Sequence, residues 1–144
     1  RLRSTGRNGA PFSPRAAQGK GRERRDGREG AMLIYKIFTE EEFAALARDG
    51  VTEGAPVDLA DGFIHFSTAA QVRETAAKHF AGAEGLVLAA VDPASVEDAL
   101  KWEPSRGGAL FPHLYGPLRL ADVAWLVPLP LGPDGRHAFP ELPA

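Results

Sequence analysis

From Met32 onward, the apolar and polar positions of the chain fall into runs that predict an order of elements. "MLIYKIF" is a β-type run. It passes directly into "TEEEF", where Thr39 caps a helix and Glu42, three residues later, reaches back to the Thr39 amide. Phe43, Leu46 and Ala47 keep helical spacing, and Gly50 is placed to end the helix in a left-handed conformation. Residues 51–61 read as loop. "GFIHFS" predicts a second strand, after which Ser67 or Thr68 caps another helix, with Gln71 three residues beyond Thr68, that runs to about Phe80. "GLVLAAVD" is nearly all apolar, as suits the centre of a sheet, and Pro93 ends it.

"ALKWEPS" predicts a fourth strand, and "RGGALFPHLYGPL", rich in Gly, Pro and aromatic residues, reads as a loop of the kind that builds sites. "DVAWLVPLPL" gives a final strand that Pro128 and Pro130 confine to an edge or an end. "PDGRH" then turns toward a short terminal strand. Strands interleaved with two main helices, one after the first strand and one after the second, predict an α+β domain.

Composition narrows the picture. A chain of 144 residues, 44% hydrophobic, makes one domain with a single core. With no cysteine there is neither a disulfide framework nor a thiolate zinc site, and the four histidines lack metal-ligand spacing, so no metal is expected. No apolar run approaches the roughly 18 to 20 residues of a membrane span, and no signal-peptide pattern follows the basic start. A cytoplasmic protein without membrane partners is expected.

The net charge of −2 conceals two unlike segments: residues 1–31 carry nine Lys/Arg against three Asp/Glu, and residues 32–144 carry eight against sixteen. The first segment has only Leu2 and Phe12 as large apolar residues, too few to offset the entropy of ordering, and is expected to be a disordered basic tail. The sole methionine, Met32, stands where the composition changes and is read as the true start. Nucleic acid is expected to bind, if at all, only through the tail, because the domain itself is acidic.

Alternation in "GFIHFS" puts Phe63, His65 and Ser67 on one face and the core-facing Ile64 and Phe66 on the other. Two readings of His65 stand: an imidazole satisfied locally, or one that holds a ligand hydroxyl or carries a proton. Ser67 and Thr68 lie at a strand-to-helix junction, whose free amides favour anions. Glu103, between Trp102 and Pro104 at a strand end, is either solvated or set toward a cleft. Arg106 leads an adaptable Gly-Gly turn able to meet phosphate. His113 and Tyr115, bracketed by Pro112 and Pro117, form either a site wall or a packed crevice. His79 and His137 are read as meeting helix carbonyls or solvent. No dinucleotide-binding GxGxxG, P-loop or GxSxG elbow occurs.

"IYKIFTEEEFAALARDG", "DGFIHFSTAAQ", "KWEPS" and "LFPHLYGPL", in that order, resemble the small bacterial proteins grouped as domain of unknown function 952, over residues 32 to about 140. The resemblance implies an ADP-ribosyltransferase-like fold, with split antiparallel sheets around an NAD cleft. It implies ribose- or nicotinamide-binding roles for His65 and Ser67, and for Glu103 the role of the acid that stabilises an oxocarbenium-like transition state. The first strand departs from the ADP-ribosyltransferase pattern, offering Tyr35, Lys36 and Thr39 where those enzymes usually offer His or Arg. The expected function is therefore binding of NAD or a related ADP-ribosyl or phosphorylated nucleotide, as substrate or ligand and not as a tightly held cofactor. Catalysis would rest on Glu103 and His65, and binding on Ser67, Thr68, Arg106, His113 and Tyr115. The alternative is a non-catalytic small-metabolite-binding module on the same fold.

Overall fold

Ile34–Thr39 forms β1, and its alternation decides how the rest packs: Ile34 and Phe38 point to one apolar cluster, Tyr35 and Ile37 to another. The computed structural model describes residues 32–142; the tail expected over residues 1–31 lies outside the described residues. At Thr39 the chain turns into α1 (Glu40–Asp49), where the Glu42 amide donates to the Thr39 hydroxyl at 3.1 Å and Glu42 Oε1 accepts from the Thr39 amide at 3.0 Å. Three acidic residues in the first turn favour the positive end of the helix dipole. Gly50, at φ 77°, ends it.

Residues 51–61 are not loop. They hold the short strand β2 (Val51–Thr52) and the helix α2 (Pro56–Asp61). Six residues are too few to show a helical period, and the helix depends on Pro56 in its first turn and on Asp58, whose carboxylate accepts the Ala55 amide at 2.8 Å. β3 (Ile64–His65), α3 (Ala69–His79) and β4 (Leu86–Val91) follow. "LFPHLYGPL" is also corrected: Leu110–Leu114 is the strand β6, pairing on one side with β3 and on the other with β5 (Leu100–Pro104). β7 (Leu118–Arg119) pairs with β2, and β8 (Val123–Leu129) with β4.

Among the described residues all strand pairings are antiparallel, in three sheets of order β1-β4-β8, β2-β7 and β3-β6-β5, so the domain is α+β. β4 is central and buried on both faces, as its apolar run predicts, and β8 with Pro128 is an edge. Leu131 and His137 close the terminal turn through a single bridge instead of a strand. On one side of the β1-β4-β8 sheet, Ile34, Phe38, Ala89 and Val91 pack with Ile64, Phe66 and Leu114 from the β3-β6-β5 sheet. On the other, Tyr35, Ile37, Leu88 and Ala90 pack with Val72 and Ala76 of α3. No helix among the described residues is long and apolar enough to cross a membrane.

The two larger sheets meet where β3 leaves β6. Phe66 and Pro112 are opposed, and the Phe66 amide donates to the Pro112 carbonyl at 3.0 Å, but proline has no N–H to return. The chain departs there, and Ser67 instead exchanges two backbone bonds with Tyr35 of β1, at 2.8 and 2.9 Å. Pro112 thus ends β3 and sends the chain across to β1.

Candidate functional site

Cross-strand register assembles the polar face of the β3-β6-β5 sheet. His65 pairs with His113, which pairs on its other side with Lys101, and Glu103 lies one diagonal step away. His113 is 5% exposed, and its Nδ1 sits 2.8 Å from Glu103 Oε1. The Tyr115 hydroxyl donates to that same oxygen at 2.8 Å. Those two bonds, His113 first, hold the Glu103 carboxyl below the usual carboxylate range. Lys101 stands over the Tyr115 ring, its Nζ 5.0 Å from the centroid.

Phe63 is the hub of the rings. Its centroid lies 4.1 Å from that of His113 in a stacked arrangement, 4.6 Å from His65 and 5.1 Å from Tyr115. The two imidazoles meet edge to face at 5.6 Å. An apolar ring so placed packs two histidines side by side and fixes the planes of both.

Beneath His65 lies a buried ion pair. Asp58 is 1% exposed, and its Oδ2 accepts from Lys36 Nζ at 2.9 Å and from the Ala55 amide at 2.8 Å. Its Oδ1 takes the His65 amide at 3.1 Å and contacts His65 Nδ1 at 2.5 Å. Burial alone would raise the Asp58 carboxyl; the bonds from His65, Lys36 and Ala55 overcome it and bring the group down to about 2. Gly54 makes the room: its φ is +113°, and a Cβ there would come within 2.5 Å of Asp58 Cβ. His65 Nε2 faces a second carboxylate, Asp61 Oδ2, at 2.9 Å.

Of the residues singled out in the sequence, His65, Glu103, His113 and Tyr115 come together here. Ser67 is 4% exposed and its hydroxyl is bonded to Thr75 of α3 at 2.9 Å. Thr68 is the N-cap of α3, its amide bonded to Gln71 Oε1 at 3.0 Å. Arg106 opens a turn between β5 and β6, and its side chain lies outside the described residues. His79 is exposed, and His137 Nε2 is 2.8 Å from the Ala83 carbonyl oxygen. Among the first-strand residues, Tyr35 is fully buried and Thr39 caps α1, so only Lys36 reaches the site, through Asp58. Asp58 and Asp61 were hidden in a segment that reads as loop; the one available signal was that they stand three residues apart, close to one helical turn, behind Pro56.

A family model described as "Protein of unknown function (DUF952)" matches residues 37–126, which include Asp58, His65, Glu103, His113 and Tyr115. The chain belongs to the DUF952 family. Among solved structures, the crystal structure of protein CC0527 from Caulobacter crescentus is 51% identical, covers 74% of this chain and 93% of that chain, and gives a TM-score of 0.71. The solution NMR structure of CC0527 is 52% identical, with coverage of 72% and 90% and a TM-score of 0.66. A comparison with curated proteins gave no match.

Chemically, the DUF952 face offers two imidazoles, each oriented through Nδ1 by a carboxylate. Such pairing fixes the ring and turns Nε2 away from the orienting carboxylate; at His65 that nitrogen faces Asp61. Glu103 retains Oε2 beside its doubly engaged Oε1, so the same carboxylate can hold His113 and Tyr115 and still accept a bond from a hydroxyl.

Proposed function

We propose that the His65–His113 face binds NAD or a related ADP-ribosyl or phosphorylated nucleotide. The observation that carries this reading is the stacking of Phe63 among His65, His113 and Tyr115, with Glu103 fixed between His113 and Tyr115. Aromatic faces take a planar base, and an ionised carboxylate with neighbouring imidazoles takes ribose hydroxyls.

The reaction this arrangement would support is cleavage of the nicotinamide–ribose bond. The C1′–N bond breaks with its electron pair going to the pyridinium nitrogen, so nicotinamide leaves neutral. Glu103 lies ready to stabilise the positive charge developing on the ribose. Water or another nucleophile adds at C1′, and the proton it loses passes to an imidazole such as His113 Nε2. The bond from His113 Nδ1 to Glu103 orients that ring for the transfer.

One observation favours the second reading, a binding module without catalysis. The first strand brings no free cation to the face: Tyr35 is buried, Thr39 is a helix cap, and the Lys36 ammonium is bonded to Asp58.

Thermal unfolding of the full chain, with and without millimolar NAD or ADP-ribose, tests the binding. A ligand at about 100 times its dissociation constant stabilises by about 2.7 kcal/mol. The expected result is a rise in Tm that disappears in Phe63→Ala. No rise with either nucleotide, or a rise that survives in both Phe63→Ala and His65→Ala, would overturn the reading. Nicotinamide release by the wild type then separates the enzyme from the module.

A further inference from the structure

His65 stands between two carboxylates of unlike character. Asp58 is buried and already neutralised by Lys36, whereas the Asp61 side chain is 47% exposed and sits at the last position of α2. Nδ1 is hydrogen-bonded to Asp58 Oδ1, and Nε2 makes an ion-pair contact with Asp61 Oδ2 at 2.9 Å. With Asp61 turned away, the Lys36–Asp58 pair stays neutral and His65 Nε2 faces the surface with no anion beside it.

We propose that His65 Nε2 is the anion subsite of this face, and that the Asp61 carboxylate holds the place a phosphate group of the ligand takes. The inference rests on the reading of the face as a nucleotide site and names the part of the ligand that His65 receives. A phosphate oxygen can take the place beside Nε2 that Asp61 Oδ2 holds at 2.9 Å as an ion-pair contact. Two anions cannot occupy that one position beside Nε2, so the ligand and Asp61 exclude each other. Among the described residues Asp61 makes no other ion pair, and its side chain is 47% exposed, so it can turn to solvent. His65 cannot follow it: Asp58 holds Nδ1 and the His65 amide from below. The subsite also adjoins the rings that would take the base, since His65 packs on Phe63 at 4.6 Å.

The test is titration of the full chain with inorganic pyrophosphate, and separately with ADP-ribose, followed by the ring nitrogen resonances of ¹⁵N-labelled histidine. Wild type, Asp61→Asn and His65→Gln are compared. Asp61→Asn is expected to bind both anions about fivefold more tightly, the gain from removing one partly exposed competing ion pair. The His65 Nε2 resonance should move on binding, and His65→Gln should lose the gain. If ADP-ribose binds equally to all three proteins, the subsite is overturned while the nucleotide reading stands. If pyrophosphate shows the gain and the loss but ADP-ribose binds no better than pyrophosphate, the subsite stands and the nucleotide reading falls. If His65→Gln fails to fold, Asp61→Asn decides alone: no tighter binding and an unmoved Nε2 overturn the proposal.

Discussion

The Tyr115 hydroxyl donates to Glu103 Oε1 at 2.8 Å on a surface where Tyr115 is 42% exposed. An exposed phenol would ordinarily titrate as free tyrosine does. Here the bond to Glu103, then partial burial and the carboxylate charge, raise it above its ordinary 10.0. Tyr35, the other tyrosine, is raised by burial alone. Ultraviolet absorbance followed through alkaline pH should therefore show no tyrosine ionising at the usual value. In Glu103→Ala, which removes both the acceptor and the charge, one of the two should fall back toward 10.0. A titration unchanged by that substitution would break the link between the residues.

Glu103→Gln separates binding from chemistry. Glutamine keeps an oxygen that accepts from Tyr115 and His113, so the wall of the site is retained while the charge is lost. If the face cleaves the nicotinamide–ribose bond, nicotinamide release should drop about a hundredfold or more. The rise in Tm with NAD should stay. Equal turnover in the variant would remove Glu103 from the mechanism.

Asp58 makes a stability prediction with a definite sign. Its folded pKa, about 2, is below its ordinary 3.8, so the native state favours the ionised form. The contribution is fully present above about pH 4 and is lost as pH falls toward 2, because the protonated group no longer balances Lys36 and His65. The shift corresponds to roughly 2 kcal/mol at neutral pH. Urea unfolding of wild type and Asp58→Asn should show a gap at pH 7 that narrows steadily below pH 4. A gap independent of pH would mean that packing alone, and not the charge, makes Asp58 matter. Lys36→Met in the Asp58→Asn background should recover part of the loss, since it removes the ammonium left buried without its partner.

The sequence is most legible where one local signal decides the outcome. Thr39 with Glu42 sets the start of α1, Gly50 sets its end, and the unbroken apolar run of β4 places that strand at a sheet centre. Alternation also separates Ile64 and Phe66, in the core, from His65 on the polar face. It does not reveal partners. Ser67 follows the same alternation, but α3 packs over it and supplies Thr75, a contact set by the tertiary fold. "LFPHLYGPL" reads as loop because Pro112 is unsuited to a central strand. Its missing N–H is harmless where β3 is already leaving the sheet. Asp58 was the least visible, since an aspartate in a polar segment is normally solvated, and the Lys36 ammonium that balances its charge stands 22 residues earlier.

Two glycines isolate what the buried carboxylate contributes. Gly50 and Gly54 both have positive φ, 77° and 113°, but a Cβ at Gly50 meets nothing within 4 Å, whereas one at Gly54 would lie 2.5 Å from Asp58 Cβ and 2.7 Å from its Oδ2. Gly50→Ala therefore carries only backbone strain, about 1 kcal/mol. Gly54→Ala carries strain and also drives Asp58 from its place, which pulls apart the bonds to Lys36 and His65. Breaking a buried ion pair costs about 3–5 kcal/mol, so Gly54→Ala should destabilise by clearly more than Gly50→Ala in urea unfolding at neutral pH. The excess should shrink in the Asp58→Asn background, where less charge is left to displace, and the His65 Nδ1 resonance should move in Gly54→Ala but not in Gly50→Ala. Equal losses from the two substitutions would show that Gly54 is needed for its backbone alone, and that Asp58 tolerates the shift without releasing His65.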